Sequence, residues 1–156
     1  MKKKRSKYGV DLTDKGKKER TYQDILYDSK TEMLFYKEYL EPRISTGEII
    51  DVKRQVPYTL QESFTRPNGD KILPIKYISD FDVTYADGRF VVYDVKGNPD
   101  NLSKQKRKIF WRRYPKIELI FICRNIKYGG WIPYDELEKK RKQDKKDKKN
   151  NFKGIE

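Results

Sequence analysis

The chain has 156 residues, of which 39% are charged, with a formal net charge of +13, one cysteine and no histidine. That length suits one domain, and the charge nominates a polyanion as partner. The missing histidines exclude Ser-His-Asp and Cys-His catalysis, histidine-ligated zinc and imidazole general bases, leaving carboxylates, lysines and a hard cation.

Residues 1–20 carry nine Lys/Arg against three acids and few apolar residues, which predicts a basic, mobile N-terminal arm. The folded domain is expected over 21–137. Its first element is a helix at about 30–41, with Met33, Phe35, Tyr36, Tyr39 and Leu40 at helical spacing and Pro42 closing it. From Ile49 to Phe64 apolar and polar residues tend to alternate, giving a strand that Pro57 assigns to an edge or a bulge. Arg66–Asp70 is a turn into a second strand over 72–85. Ala86–Arg89 is a tight hairpin into a third, Phe90–Lys96.

Gly97–Asp100 breaks that strand, and a helix over 101–113 is predicted with Leu102, Ile109 and Phe110 inward. The strand Ile117–Cys123 then closes a crossover unit and lies parallel to an earlier strand. Within it Cys123 reads as a buried, inert thiol of a reducing compartment. Gly129–Pro133 reads as a turn and a short helix starts near Tyr134. The Lys-rich residues 138–156 read as a basic, disordered tail. Basic arms of this kind either grip phosphates or merely keep a chain in solution. There is no apolar signal-peptide region and no run of ~18 apolar residues, which predicts an intracellular, cytoplasmic protein without a membrane segment.

The chemistry concentrates on two adjacent strands. In Ile78-Ser79-Asp80-Phe81-Asp82-Val83 a period of two puts Asp80 and Asp82 on one face, and in Val91–Lys96 it puts Asp94 and Lys96 together. Carboxylates are depleted in such β-branched, aromatic sequence, because burying one unpaired costs several kcal/mol. Mg²⁺, which takes oxygen ligands and retains water, resolves the conflict. Lys96 is then within reach of a scissile phosphate or its attacking water.

Asp80, then thirteen residues, then Asp94-Val95-Lys96 resembles the PD-(D/E)XK signature of restriction-endonuclease-like nucleases, and Glu32 in Ser29-Lys30-Thr31-Glu32 matches the acid often found on their first helix. The likeness is best to small phage-encoded endonucleases and transposon-end endonuclease subunits, and spans about residues 28–123. It implies an α/β fold with an α-β-β-β-α-β core, a mixed sheet flanked by helices. It also implies a metal-dependent DNA endonuclease acting in recombination, repair or processing, in the host cytoplasm if phage-encoded. Glu32, Asp80 and Asp94, with the Val95 carbonyl, would bind Mg²⁺, for which Mn²⁺ substitutes, beside a catalytic Lys96. Ser79 stands where the signature has proline, and Asp82 could replace or supplement Asp80.

Each residue also has a plainer meaning. Ser29 to Glu32 is a capping box, Asp94 and Lys96 make a surface ion pair at a strand end, and Asp82 faces solvent. The helix over 101–113 bears Lys104, Lys106, Arg107, Lys108, Arg112 and Arg113, either along a DNA backbone or as a solvated face. The rival functions are a non-catalytic nucleic-acid-binding protein and the nuclease subunit of a larger complex. A homodimer or a partner protein would supply the specificity for which no recognition motif is present.

Overall fold

Residues Ser6 and 9–153 are described by the structure, a computed structural model. The predicted arm over 1–20 lies partly outside the described residues, and its described part contains a short helix. Helix α1 (Asp14–Glu19) is capped by the Thr13 side chain, which accepts from the Gly16 N–H. The buried Arg20 donates to the carbonyls of Asp11 (2.6 Å) and Tyr27 (2.8 Å). A short hairpin, β1 (Thr21–Tyr22) and β2 (Ile25–Leu26), leads into the core.

The predicted helix over 30–41 is three joined pieces: α2 (Lys30–Phe35), a π-helical turn (Tyr36–Leu40) and α3 (Glu41–Ser45). Pro42 does not end it. The widened turn loosens the hydrogen-bond ladder just ahead of the proline, which sits in the first turn of α3 where a missing N–H costs little.

The strand expected over 49–64 breaks at Gln55, which adopts a left-handed φ of 54°. Its first part, β3 (Ile49–Arg54), joins the main sheet, and its second, β4 (Pro57–Gln61), leaves it. The strand expected over 72–85 divides likewise. β4 pairs with β7 (Ile75–Ile78), and β5 (Phe64–Thr65) with β6 (Lys71–Ile72), as a projecting ribbon, while β8 (Phe81–Tyr85) returns to the sheet beside β3. The Tyr85–Arg89 hairpin leads into β9 (Phe90–Val95), its turn closed by Gly88 at φ 89°.

Helix α4 (Asn101–Arg113) has the expected bounds and is capped by Asp100, whose side chain accepts from Ser103 N–H at 2.7 Å. Phe110 is buried as expected, but Leu102 and Ile109 are 60% and 44% exposed. The packed stripe runs instead through Arg107, Phe110 and Tyr114, three and four residues apart. Strand β10 (Glu118–Asn125) lies parallel to β9, which bears out the crossover unit. Gly129–Pro133 is not all turn. Gly129 ends a 3₁₀ turn (Ile126–Tyr128) with φ 93°, and β11 (Gly130–Pro133) pairs antiparallel to β10, burying Ile132.

The sheet order is β11-β10-β9-β8-β3, mixed because the β9–β10 pair alone is parallel, so the fold is α/β as expected. Alternation along the strands splits the core. Phe81, Val83, Tyr93 and Ile122 pack with Phe35 and Leu40 on one face, whereas Val92 and Leu119 pack with Phe110, Leu60 and Tyr77. The residues predicted as a disordered tail form helix α5 (Tyr134–Lys153) as far as they are described. Buried Tyr134 and Leu137 seed it against Phe121 and Cys123, and Asp144 holds its next turns through Lys127 and Tyr128. Among the described residues no helix is long and apolar enough to cross a membrane.

Candidate active site

Glu32 comes to the site because Ser29 starts α2: Ser29 Oγ accepts from Glu32 N–H (3.1 Å) and donates to its carboxylate (2.9 Å). Ser29 therefore caps the helix, but the Glu32 carboxylate accepts from the Ser29 hydroxyl rather than from a backbone donor, and it is buried and lines a pocket of about 420 Å³ together with Asp80, Val95 and Lys96. Asp80 sits in the break between β7 and β8, and its carboxylate accepts from Val95 N–H at 2.7 Å. Asp94 and Lys96 follow at the end of β9, with Lys96 Nζ 2.9 Å from Asp94 Oδ1.

The electrostatics tie these groups together. Burial, opposed by Ser29 and reinforced by Asp28 and Asp94, pushes Glu32 up to about 7. Burial, then Asp94 and Glu32, raises Asp80 well above the ordinary carboxylate value. Burial disfavours the Lys96 ammonium, yet Asp94 and Asp80 outweigh it and leave that ammonium more firmly protonated than usual. Glu32, Asp80, Asp94 and Lys96, from three separate stretches of chain, are therefore one interacting group.

Asp82 is elsewhere. Ser79 Oγ donates to it at 2.6 Å and Tyr58 OH donates to its other oxygen, so it anchors the ribbon to the sheet rather than facing solvent. The strand break at Ser79–Asp80 interrupts the alternation that had put Asp80 and Asp82 on one face. Burial raises Asp82 as well, while Ser79, Tyr58 and Lys53 oppose the rise.

The basic stripe on α4 also divides. Arg107 is buried between the rings of Trp111 and Phe121 (4.6 and 4.3 Å) and makes a paired hydrogen bond to Asp135 at 2.9 and 3.1 Å, which docks α4 onto α5. It is a packing residue, a correction to its expected place on DNA. Arg113 pairs with Glu62, and Lys104 lies over Tyr134, while Lys108 and Arg112 are exposed. Lys106 lines a second pocket, of about 300 Å³, with Lys76, Asp94 and Lys96.

Sequence reasoning passed over Tyr77, Tyr58 and Arg54. Tyr77 OH donates to Asp94 Oδ2 from the ribbon, and its own pKa is driven up by burial and then by that carboxylate. Arg54, stacked on Tyr27 at 4.1 Å, is a cation acting on Glu32. No local pattern marks these residues, because the two tyrosines reach the acids through the pairing of β4 with β7, where Tyr58 stands opposite Tyr77, and Arg54 through the pairing of β3 with β8, opposite Phe81.

Each carboxylate leans on a protein donor, and among the described residues no three acidic or cysteine side chains stand together closely enough to hold a metal ion by themselves. The donor set still fits a hard cation: oxygen ligands, repulsion between acids to relieve, and Asp94 Oδ1 buried against Lys96 without a well-directed hydrogen bond. Magnesium needs only one or two carboxylates when water and phosphate complete its shell.

A family model described as "Protein of unknown function (DUF1064)" matches residues 5–130. Neither the curated proteins nor the solved structures compared with the chain gave a match.

Proposed function

For this chain, which belongs to the DUF1064 family, we propose the activity of a magnesium-dependent deoxyribonuclease of PD-(D/E)XK type, acting in the cytoplasm on DNA phosphodiesters. The observation that carries the reading is that Glu32, Asp80 and Asp94, each drawn from a different segment, act on one another beside Lys96, with Glu32 and Asp80 held at an electrostatic cost. Such a cost marks groups kept for a task rather than for stability.

Glu32, Asp80 and Asp94, with the Val95 carbonyl, would hold Mg²⁺, which supplies a Lewis acid for the phosphate and lowers the pKa of bound water. Lys96 remains charged at neutral pH and offsets the negative charge that grows on the phosphate as it is attacked. Tyr77 keeps Asp94 pointed at that ammonium. Ser29 and the Val95 N–H fix the other two carboxylates, so the acids need no reordering when substrate arrives.

The test is cleavage of linear, nicked and branched DNA with Mg²⁺ or Mn²⁺. Cleavage giving 5′-phosphate ends and abolished by EDTA is the expected result. Absence of cleavage with either ion, or cleavage indifferent to EDTA, overturns the reading. DNA binding without turnover would instead leave a nucleic-acid-binding protein.

A further inference from the structure

Beside the acid-lined pocket lies a wider cleft of about 570 Å³, and the two share Thr31 and Gly97 as a common wall. Their charges are opposite. The first is lined by Asp28, Glu32 and Asp80 with Lys96 as its one cation, whereas the second is lined by Lys30, Arg124 and Lys127 and by no acid. A polyanion with one phosphate at the acids and their cation would carry its next phosphate toward this cleft.

The cleft is also apolar. Leu34 forms part of its wall, and Ile126 stands at its rim 79% exposed, a position that hydration alone disfavours. Ile126 is not on a loose loop. Asn125 caps its 3₁₀ turn by accepting from Lys127 N–H (3.1 Å), Gly129 ends the turn in the left-handed region, and Lys127 and Tyr128 are both tied to Asp144 on α5. Of the cations, Arg124 is held by Glu38 (2.9 and 3.0 Å) and Lys127 by Asp144, while Lys30 makes no ion pair among the described residues. A rigidly mounted apolar side chain framed by cations complements a base and its phosphate.

We propose that this cleft is a subsite for one unpaired nucleotide of the DNA strand, next to the phosphate that is cut. Lys30 holds its phosphate, and Ile126 and Leu34 take the face of its base. In continuous duplex that face is covered by its neighbours, so the substrate favoured is DNA interrupted by an unpaired nucleotide, as at a bulge, flap or junction. The assignment rests on the phosphodiesterase reading for the identity of the polymer.

The test uses the full chain in EDTA and measures affinity by fluorescence anisotropy for two labelled duplexes, alike except that one carries a single unpaired nucleotide. Wild type should bind the interrupted duplex roughly tenfold more tightly, the worth of one base contact. Ile126→Ala should lose that preference and keep its affinity for continuous duplex. Lys30→Ala should weaken binding to both and lower the salt slope by about one. Equal wild-type affinities, or a preference that survives Ile126→Ala, overturn the proposal. Cleavage of the same duplexes with Mg²⁺ separates the two ideas. A binding preference without cleavage leaves the subsite and removes the nuclease, and cleavage without preference does the reverse.

Discussion

Helix α4 and the facing ends of β8 and β9 both carry dense charge, and they place it in opposite ways. On α4 the most buried cation, Arg107, is fully satisfied by two rings and a carboxylate, so its charge serves the docking of two helices. At the strand ends Asp80 and Asp94 are set against each other and against Glu32, and one lysine does not balance them. A buried charge with complete partners belongs to the architecture, and buried charges in mutual conflict mark a site that awaits something from outside.

The sharpest way to break that contrast is to remove one charge from each region. On the proposed mechanism Lys96→Ala should lower the cleavage rate by about 10²–10³-fold, more than the stability it loses by leaving the buried Asp94 without its ammonium can explain. Arg107→Ala should spare cleavage and cost roughly 1–3 kcal/mol in denaturant unfolding, chiefly through lost packing against Trp111 and Phe121, since the Asp135 carboxylate it leaves is exposed. Its neighbour Lys106→Ala should leave stability within about 0.5 kcal/mol.

Acidity sharpens the contrast further. Glu32 is pushed up to about 7 from 4.5, so between those values the folded chain binds more protons than the unfolded one. The contribution of Glu32 to metal-free stability should therefore be complete below that window and fall as pH rises through it. Glu32→Gln should flatten the slope, and Mg²⁺ should offset the loss in wild type, both measured by denaturant titration at several pH values.

The smallest effect separates two tyrosines of the ribbon. Tyr58→Phe removes a donor to Asp82 and should cost about 1 kcal/mol with cleavage unchanged. Tyr77→Phe, at a similar cost in stability, should slow cleavage because Asp94 loses its anchor.

Much of this was legible in the sequence where strands carry it. The Ala86–Arg89 hairpin, the bounds of α4 and the parallel β10 follow from turn chemistry, capping and alternation. Asp94 and Lys96 share a face for the same reason. The left-handed Gln55 and the break at Ser79–Asp80 were not legible, since both exist to let a ribbon peel off the sheet, which is a tertiary demand. That break separates Asp82 from Asp80. Helix faces were misread where charge misled: Arg107 is an inward residue, because ring stacking and a carboxylate offset its burial, while Leu102 and Ile109 point out. The terminal segments looked too polar for regular structure, yet in their described parts they form α1 and α5, with Arg20 anchoring one at its end and Leu137 the other at its base.

The most direct test compares Mg²⁺-dependent cleavage of one DNA substrate by wild type, Asp82→Asn and Asp94→Asn, with folding checked by circular dichroism. Wild type and Asp82→Asn should both cut while Asp94→Asn is inert. Cutting by Asp94→Asn at the wild-type rate would contradict the assignment of these carboxylates to catalysis.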